Sequence, residues 1–310
     1  MRILLQFPQG LKMHALQEAA KFEQSGHEVF LSATACWGAC DLALEEAKAI
    51  GAERLVHYGH AQFGDKPVVV RGIEIEYRLY PITVDLGVLK EALPLLKDYK
   101  KIGLVTTVSH IHQLDDMKKI LAEGDPAHPH QTFTSRGGLA ILEGQVLGCD
   151  SSAADKLAGK VDALLYFGGG EFHPLGIKAD KPVFAVNPYA RSSMQINDII
   201  RRKQKKEQGM LIATAQAKRI GILVSTKSGQ FNIHAAENAK KKLLAAGIPQ
   251  VSILVTGEVD FNSLQDFNSF DAYITTACPR LVDDSERVGK PIVNLAQLPA
   301  LLKMAKELKN

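Results

Sequence analysis

The sequence predicts an α/β protein of three homologous, small parallel-sheet domains arranged around a pseudo-threefold axis. Two kinds of observation lead there. Short β-branched apolar runs alternate with amphipathic helical stretches, the pattern of parallel strands covered by helices. An offset of 109 residues then lays Cys40-Asp41 on Cys149-Asp150, Leu55-Val-His-Tyr-Gly59 on Leu164-Leu-Tyr-Phe-Gly168, and Phe63 on Phe172. The same offset lays Asp162-Ala163 on Asp271-Ala272 and Lys181-Pro182 on Lys290-Pro291, so a third copy follows, with Cys278 opposite Gly169.

The elements follow in order. Three strands open the units: Arg2 to Phe7, Lys101 to Thr106 and Arg219 to Val224, the last two reading Lys-Ile-Gly-Leu-Val and Arg-Ile-Gly-Ile-Leu-Val. A polar turn and a helix follow each. The clearest helix runs from Ile233 to Ala246 and stops at Gly247, a residue that accepts positive φ. Second strands fall around Val29 to Ala33 and Gln145 to Leu147. Third strands fall at Arg54 to Tyr58, Ala163 to Phe167 and Ala272 to Thr276. Fourth strands, Val68 to Val70, Val183 to Val186 and Ile292 to Leu295, each follow Lys-Pro, where proline costs only the first amide. The polar stretch from Ser192 to Gln216 reads as a helical connector, with Arg201-Arg-Lys-Gln-Lys-Lys206 a solvated face. The expected domains are 1–98 with Cys40, 99–217 (connector included) with Cys149, and 218–310 with Cys278.

Bulk properties narrow the function. At 310 residues and 46% hydrophobic, the chain can bury a large core. A net charge of +3 argues against an obligate nucleic-acid binder. No apolar run approaches the ~20 residues that span a bilayer, and Met1-Arg-Ile-Leu-Leu-Gln-Phe7 reads as a strand, not a secretory leader. Four cysteines, three of them more than a hundred residues apart, in a core-rich chain point to metal or catalytic use in a cytoplasmic protein.

The cysteines are the candidate site. Ligands of open α/β sheets collect at the carboxyl ends of strands, and Cys40, Cys149 and Cys278 all fall there, one per unit. Gathered at one centre, three thiolates suit a [4Fe–4S] cluster with one iron left open. Zinc is the competing metal, but its sites usually draw two ligands from a short local motif. Cys36-Trp-Gly-Ala-Cys40 offers a CxxxC spacing with Ala43 where a third cysteine would complete a radical-enzyme loop. The repeat register favours Cys40 as ligand and leaves Cys36 a packing residue or neighbouring thiol.

At these residues the chain resembles the radical enzymes of diphthamide biosynthesis, the 2-(3-amino-3-carboxypropyl)histidine synthases. The matching segments are Gln6-Phe-Pro-Gln-Gly-Leu11, Gly38-Ala-Cys-Asp41, Leu55-Val-His-Tyr-Gly-His60, Gly148-Cys-Asp150 and Ala277-Cys-Pro-Arg280. The resemblance implies a cytoplasmic homodimer whose three cysteines hold a [4Fe–4S] cluster. It implies that S-adenosylmethionine binds the cluster and is cleaved reductively, with electrons from a low-potential donor. The 3-amino-3-carboxypropyl group then passes to a histidine of translation elongation factor 2. Quinolinate synthase, a cluster-dependent dehydratase, and a non-catalytic cluster-bearing subunit are the alternatives.

Further candidates follow from the turns. Gln6, Pro8 and Gly10 lie after the first strand, where glycine permits close approach to a ligand. Gln230, in the equivalent turn of the third unit, is expected to contact S-adenosylmethionine. Arg280 could pair with its carboxylate or with a protein acid. His57 and His60 read as structural histidines that could instead orient substrate. Gly168-Gly-Gly170 reads as room for adenosine or cluster.

Overall fold

The computed structural model describes residues 1–64, 68–178 and 180–308, and its chain divides into two compact units, Met1–Ile200 and Arg201–Asn310. The first unit holds two sheets and the second holds one.

In the first sheet, β1 (Arg2–Gln6), β2 (Glu28–Leu31), β3 (Arg54–Tyr58), β4 (Val68–Val70) and β5 (Ile73–Arg78) run in the order β2-β1-β3-β5-β4. Only β4 is antiparallel, paired to β5 at the edge. The second sheet contains β6 (Lys101–Thr106), β7 (Gln131–Phe133), β8 (Ala163–Phe167), β9 (Val183–Asn187) and β10 (Ser192–Gln195), in the order β10-β9-β8-β6-β7 with β10 antiparallel. In the third, β11 (Arg219–Ser225), β12 (Gln250–Thr256), β13 (Ala272–Thr275) and β14 (Ile292–Asn294) run in the order β12-β11-β13-β14, all parallel. Set the antiparallel edges aside and all three share one parallel order: second, first, third, fourth. The chain reverses direction across the sheet between its first and third strands. Loops leaving the carboxyl ends of those two strands diverge there, which opens a crevice for a ligand.

Strands at the middle of each sheet are buried on both faces and read as continuous apolar runs. β8, Ala-Leu-Leu-Tyr-Phe, is entirely buried. Helices cover them by the usual periodicity. The helix Ala15–Gln24 buries Ala15, Ala19 and Phe22, and Ile233–Ala245 buries Ala236, Ala239 and Leu243. The second of these starts at Asn232, whose side chain accepts from Ala235 N at 3.2 Å. Its end at Gly247 takes φ +83°. Gly103 and Gly221, the shared glycines of β6 and β11, let neighbours close in. A Cβ would lie 2.7 Å from Leu164 at the first, and 2.7 Å from both Leu254 and Tyr273 at the second.

The structure departs from the predicted elements in four places. Val68–Val70 is the antiparallel edge, and the fourth parallel strand of the first sheet is β5, whose glutamates pair with Arg54. The Lys66-Pro67 before β4 lies outside the described residues. In the second sheet, Gln145 makes a single bridge to Thr106, and the partner strand of β6 is β7. The helix Gly87–Leu96 sits inside the expected first domain, yet buries Val88, Leu89, Ala92, Leu93 and Leu96 in the core with β6 and β8 residues. The polar connector opens with strand β10 before the helix Asn197–Ala215 begins.

Candidate metal centre

Cys40 lies half-buried in the loop between β2 and the helix Leu44–Ala49. The loop is fixed from several sides. Gln6, the last residue of β1 and fully buried, donates through Nε2 to Asp41 O at 2.7 Å and accepts from Ala43 N at 3.1 Å. Tyr77, from β5, donates to Ala39 O at 3.1 Å. Lys12 donates to Ala33 O and Thr34 O at 2.8 and 2.7 Å. Trp37 N donates to Asp41 Oδ2 at 3.2 Å while the indole stays exposed. Burial pushes the Tyr77 hydroxyl up to about 12, and the nearby Cys40 and Cys36 thiols add to that rise.

Strand register explains what sits beside this loop. Gln6 pairs with His57 across β1 and β3, and His57 pairs with Tyr77 across β3 and β5, so three polar side chains crowd the carboxyl edge. His57 Nδ1 lies 2.9 Å from Gln6 Oε1, and His57 Nε2 lies 2.9 Å from His60 Nδ1. Cys36 Sγ lies 4.0 Å from His57 Nε2. His60 reaches this point because Gly59 turns the chain at φ +77°; a Cβ there would stand 2.7 Å from Leu11 and 3.0 Å from Pro8. Burial lowers His57 to about 3, helped by the neighbouring His60, and lowers His60 to about 4.

Cys149 is exposed, in the loop between β7 and the helix Ser152–Leu157. A tight turn carries it: Leu147 N donates to Asp150 O at 2.9 Å and Asp150 N to Leu147 O at 3.2 Å. The Asp150 carboxylate gathers the loop, accepting from Leu139 N at 2.6 Å, Ser152 N at 3.0 Å and Gly138 N at 3.1 Å. Burial alone would raise this carboxyl, but the hydrogen bonds from Ser152, Leu139 and Ala140 outweigh it and hold the group below its usual range. Gly148 lets the Phe172 ring lie close beside the cysteine: a Cβ there would come within 2.0 Å of the ring, which would have to move. Cys278, half-buried, follows β13 and precedes the short helix Pro279–Asp284. Each of the three cysteines therefore sits on a loop downstream of strand carboxyl ends.

Other predicted residues take definite places. Gln6 clamps the Cys40 loop with all its amide contacts inside the protein, a role that turn chemistry alone did not reveal. Pro8 is half-buried against Gly59, and Gly10 is exposed with no atom within 4 Å of a Cβ position. Gln230 is half-buried in a turn closed by its own N–H to Lys227 O at 2.9 Å. Arg280 pairs with Asp283 at 2.6 Å, the protein-acid alternative. In the Gly168-Gly-Gly170 turn, Cβ atoms at Gly168 and Gly169 would meet the Tyr166 hydroxyl at 2.6 Å and the Tyr189 ring at 3.0 Å, while Gly170 has no atom within 4 Å of a Cβ position. Sequence reasoning separated Cys36 from His57 and His60. The structure brings these three together, and the signal is the pairing of β1 with β3.

Comparison with known proteins agrees with this architecture. The chain is 32% identical over 315 residues to 2-(3-amino-3-carboxypropyl)histidine synthase of Pyrococcus horikoshii, covering 99% of this chain and 87% of the relative. It is 26% identical to the enzyme of the same name from Methanocaldococcus jannaschii, covering 97% of this chain and 84% of the relative. The crystal structure of Dph2 from Pyrococcus horikoshii with a 4Fe-4S cluster superposes with a TM-score of 0.83 at 31% identity, covering 98% of this chain and 86% of that one. The diphthamide synthesis protein family model matches residues 7–310. With that match over nearly its whole length, the chain belongs to the diphthamide synthesis protein family.

Proposed function

We propose that the chain is a 2-(3-amino-3-carboxypropyl)histidine synthase. It moves the 3-amino-3-carboxypropyl group of S-adenosylmethionine to a histidine of translation elongation factor 2, the first step of diphthamide biosynthesis. The observation that carries the reading is the near full-length likeness to a relative whose crystal structure contains a 4Fe-4S cluster.

Cys40, Cys149 and Cys278 would hold the cluster. The donor set fits: three thiols, one in each α/β repeat, with the Cys40 and Cys149 loops held by hydrogen bonds from other residues. When bound, a cluster with an open iron supplies a low-potential electron for cleaving a carbon–sulfur bond. The protein's own part is positioning. Gln6 and Tyr77 fix the Cys40 loop, and Asp150 fixes the Cys149 turn. The exposed, uncrowded Gly10 leaves backbone accessible to a co-substrate, with Pro8 and Gln230 as further contacts. Arg280 would have to exchange Asp283 for the co-substrate carboxylate. The shared strand order supports three α/β repeats; the boundary expected near residue 98 moves ahead of the helix Gly87–Leu96, which packs with the second sheet, and the one near 218 precedes β11. No helix among the described residues is long and apolar enough to cross a membrane. Family likeness further supports a cytoplasmic homodimer served by a low-potential electron donor.

The test is anaerobic transfer from S-adenosylmethionine labelled in its aminocarboxypropyl chain to archaeal elongation factor 2, with dithionite as reductant. Label on the factor and release of methylthioadenosine are expected. Cluster-loaded protein that forms only deoxyadenosine, or transfers no label, would overturn the reading.

A further inference from the structure

Outside the three repeat cysteines, one group of metal-ligating side chains is drawn together among the described residues. Cys36, His57 and His60 each offer a ligand atom, all within 4.8 Å of one another. We propose that these three residues form a mononuclear zinc site, separate from the cysteines assigned to the cluster.

Backbone chemistry fixes the tautomer that a metal needs. Asp41 O can only accept and Ala43 N can only donate, so Gln6 must turn Nε2 to the first and Oε1 to the second. Gln6 Oε1 then faces His57 Nδ1 at 2.9 Å as an acceptor, and His57 Nδ1 must carry the proton. His57 Nε2 is left with its lone pair aimed at His60 Nδ1 and Cys36 Sγ. A ligating histidine whose other nitrogen is tied to an acceptor in this way is the usual support of a bound metal. Here the support is itself buried and locked to two backbone groups.

The distances suit a site that closes on its ion. Zinc held by nitrogen at about 2.0–2.1 Å and sulfur at about 2.3 Å sets tetrahedral separations of about 3.4 Å between nitrogens and about 3.6 Å from nitrogen to sulfur. The histidine nitrogens, 2.9 Å apart and hydrogen-bonded, need to part by about half an ångström; the sulfur, 4.0 Å from Nε2, needs to approach by a similar amount. His60 is half-buried on the turn made by Gly59, so it is the ligand able to shift. One thiolate and two imidazoles select zinc over oxygen-seeking magnesium or calcium. Binding releases the Cys36 thiol proton to solvent, while the His60 proton moves from Nδ1 to Nε2 through solvent, leaving a site of net charge +1. Three protein ligands leave the fourth tetrahedral position to water. All three ligands come from the first repeat, His57 from β3 and Cys36 and His60 from the loops after β2 and β3, so none of them is a cysteine assigned to the cluster.

The test uses full-length protein, purified anaerobically with its cluster, loaded with zinc and freed of excess. Metal analysis should find one zinc per chain. X-ray absorption at the zinc edge, which is blind to iron, should show one sulfur and two imidazole nitrogens. His60→Ala, at a half-buried position, should keep native circular dichroism and weaken zinc binding by about ten-fold or more. Cys36→Ser should remove sulfur from the zinc shell, and Cys40→Ser should leave that shell unchanged. The proposal is overturned if wild type retains no stoichiometric zinc, if the shell holds two or more sulfurs, or if folded His60→Ala binds zinc as tightly as wild type.

Discussion

Replacing Gln6 by leucine isolates the clamp on the Cys40 loop. Leucine matches the length and width of glutamine closely, so little cavity forms and the loss is one of hydrogen bonds. Three buried groups lose their partner: Asp41 O, Ala43 N–H and His57 Nδ1–H. Each buried orphan costs about 1–3 kcal/mol. A carbonyl tolerates the loss better than an N–H, and the loop can relax toward water, so a total of about 3 kcal/mol is expected. The readout is built in: Trp37 is the chain's single tryptophan and lies on the clamped loop. A urea titration followed by its fluorescence should show the midpoint lowered by about 1 M with little change in slope. A midpoint shift under about 0.2 M would refute the reasoning, because the three groups would then have been satisfied without Gln6.

Other perturbations test other parts of the account. His57 and His60 are held neutral by burial, at about 3 and about 4 against 6.5 for a free ring. Between those values the unfolded chain binds protons that the folded chain refuses, so their stabilising contribution is whole above pH 6.5 and declines as pH falls. The loss approaches about 1.4 kcal/mol per pH unit for each ring; Trp37-monitored urea midpoints at pH 7.5, 6 and 5 should fall accordingly, and fall less steeply in His57→Asn, where only His60 still contributes. Asp150→Ala strips the Cys149 turn of a carboxylate that accepts from several backbone amides. It should cost about 2–3 kcal/mol, with faster amide exchange at Gly138 and Leu139 as the check. Because that carboxyl is depressed, its contribution persists at neutral pH and is lost only as pH falls through its lowered value. Gly148→Ala should displace the exposed Phe172 ring from beside Cys149, seen as a changed rate of Cys149 alkylation in cluster-free protein.

Much of the fold was legible because central parallel strands must be apolar throughout, and β3, β6 and β8 fall where their β-branched and apolar runs placed them. The strand β5 was not. Ile-Glu-Ile-Glu-Tyr-Arg was passed over because its charges break the continuous apolar run that marks the central strands; it is a strand because its backbone pairs in parallel with β3 while Ile73 and Ile75 are buried. The Val-Val-Val run beside it looked like the better strand and is the edge. β7 was missed because it is three residues long and lacks an apolar run. Cys40 and Cys149 were visible because an offset of 109 residues pairs them; Cys278 falls opposite Gly169 in that register and was reached only through its place after an apolar strand. The grouping of Cys36 with His57 and His60 had no such mark: it depends on β1 lying beside β3, a contact made across about fifty residues of chain.

The assignment of one cluster to three distant loops is tested most directly by anomalous diffraction at the iron edge, on crystals of the protein grown anaerobically with its cluster. A single cubane of four irons is expected, with Cys40, Cys149 and Cys278 each bonded to one of them and Cys36 bonded to none. Iron bound through Cys36, or divided between separate sites on different cysteines, would contradict it.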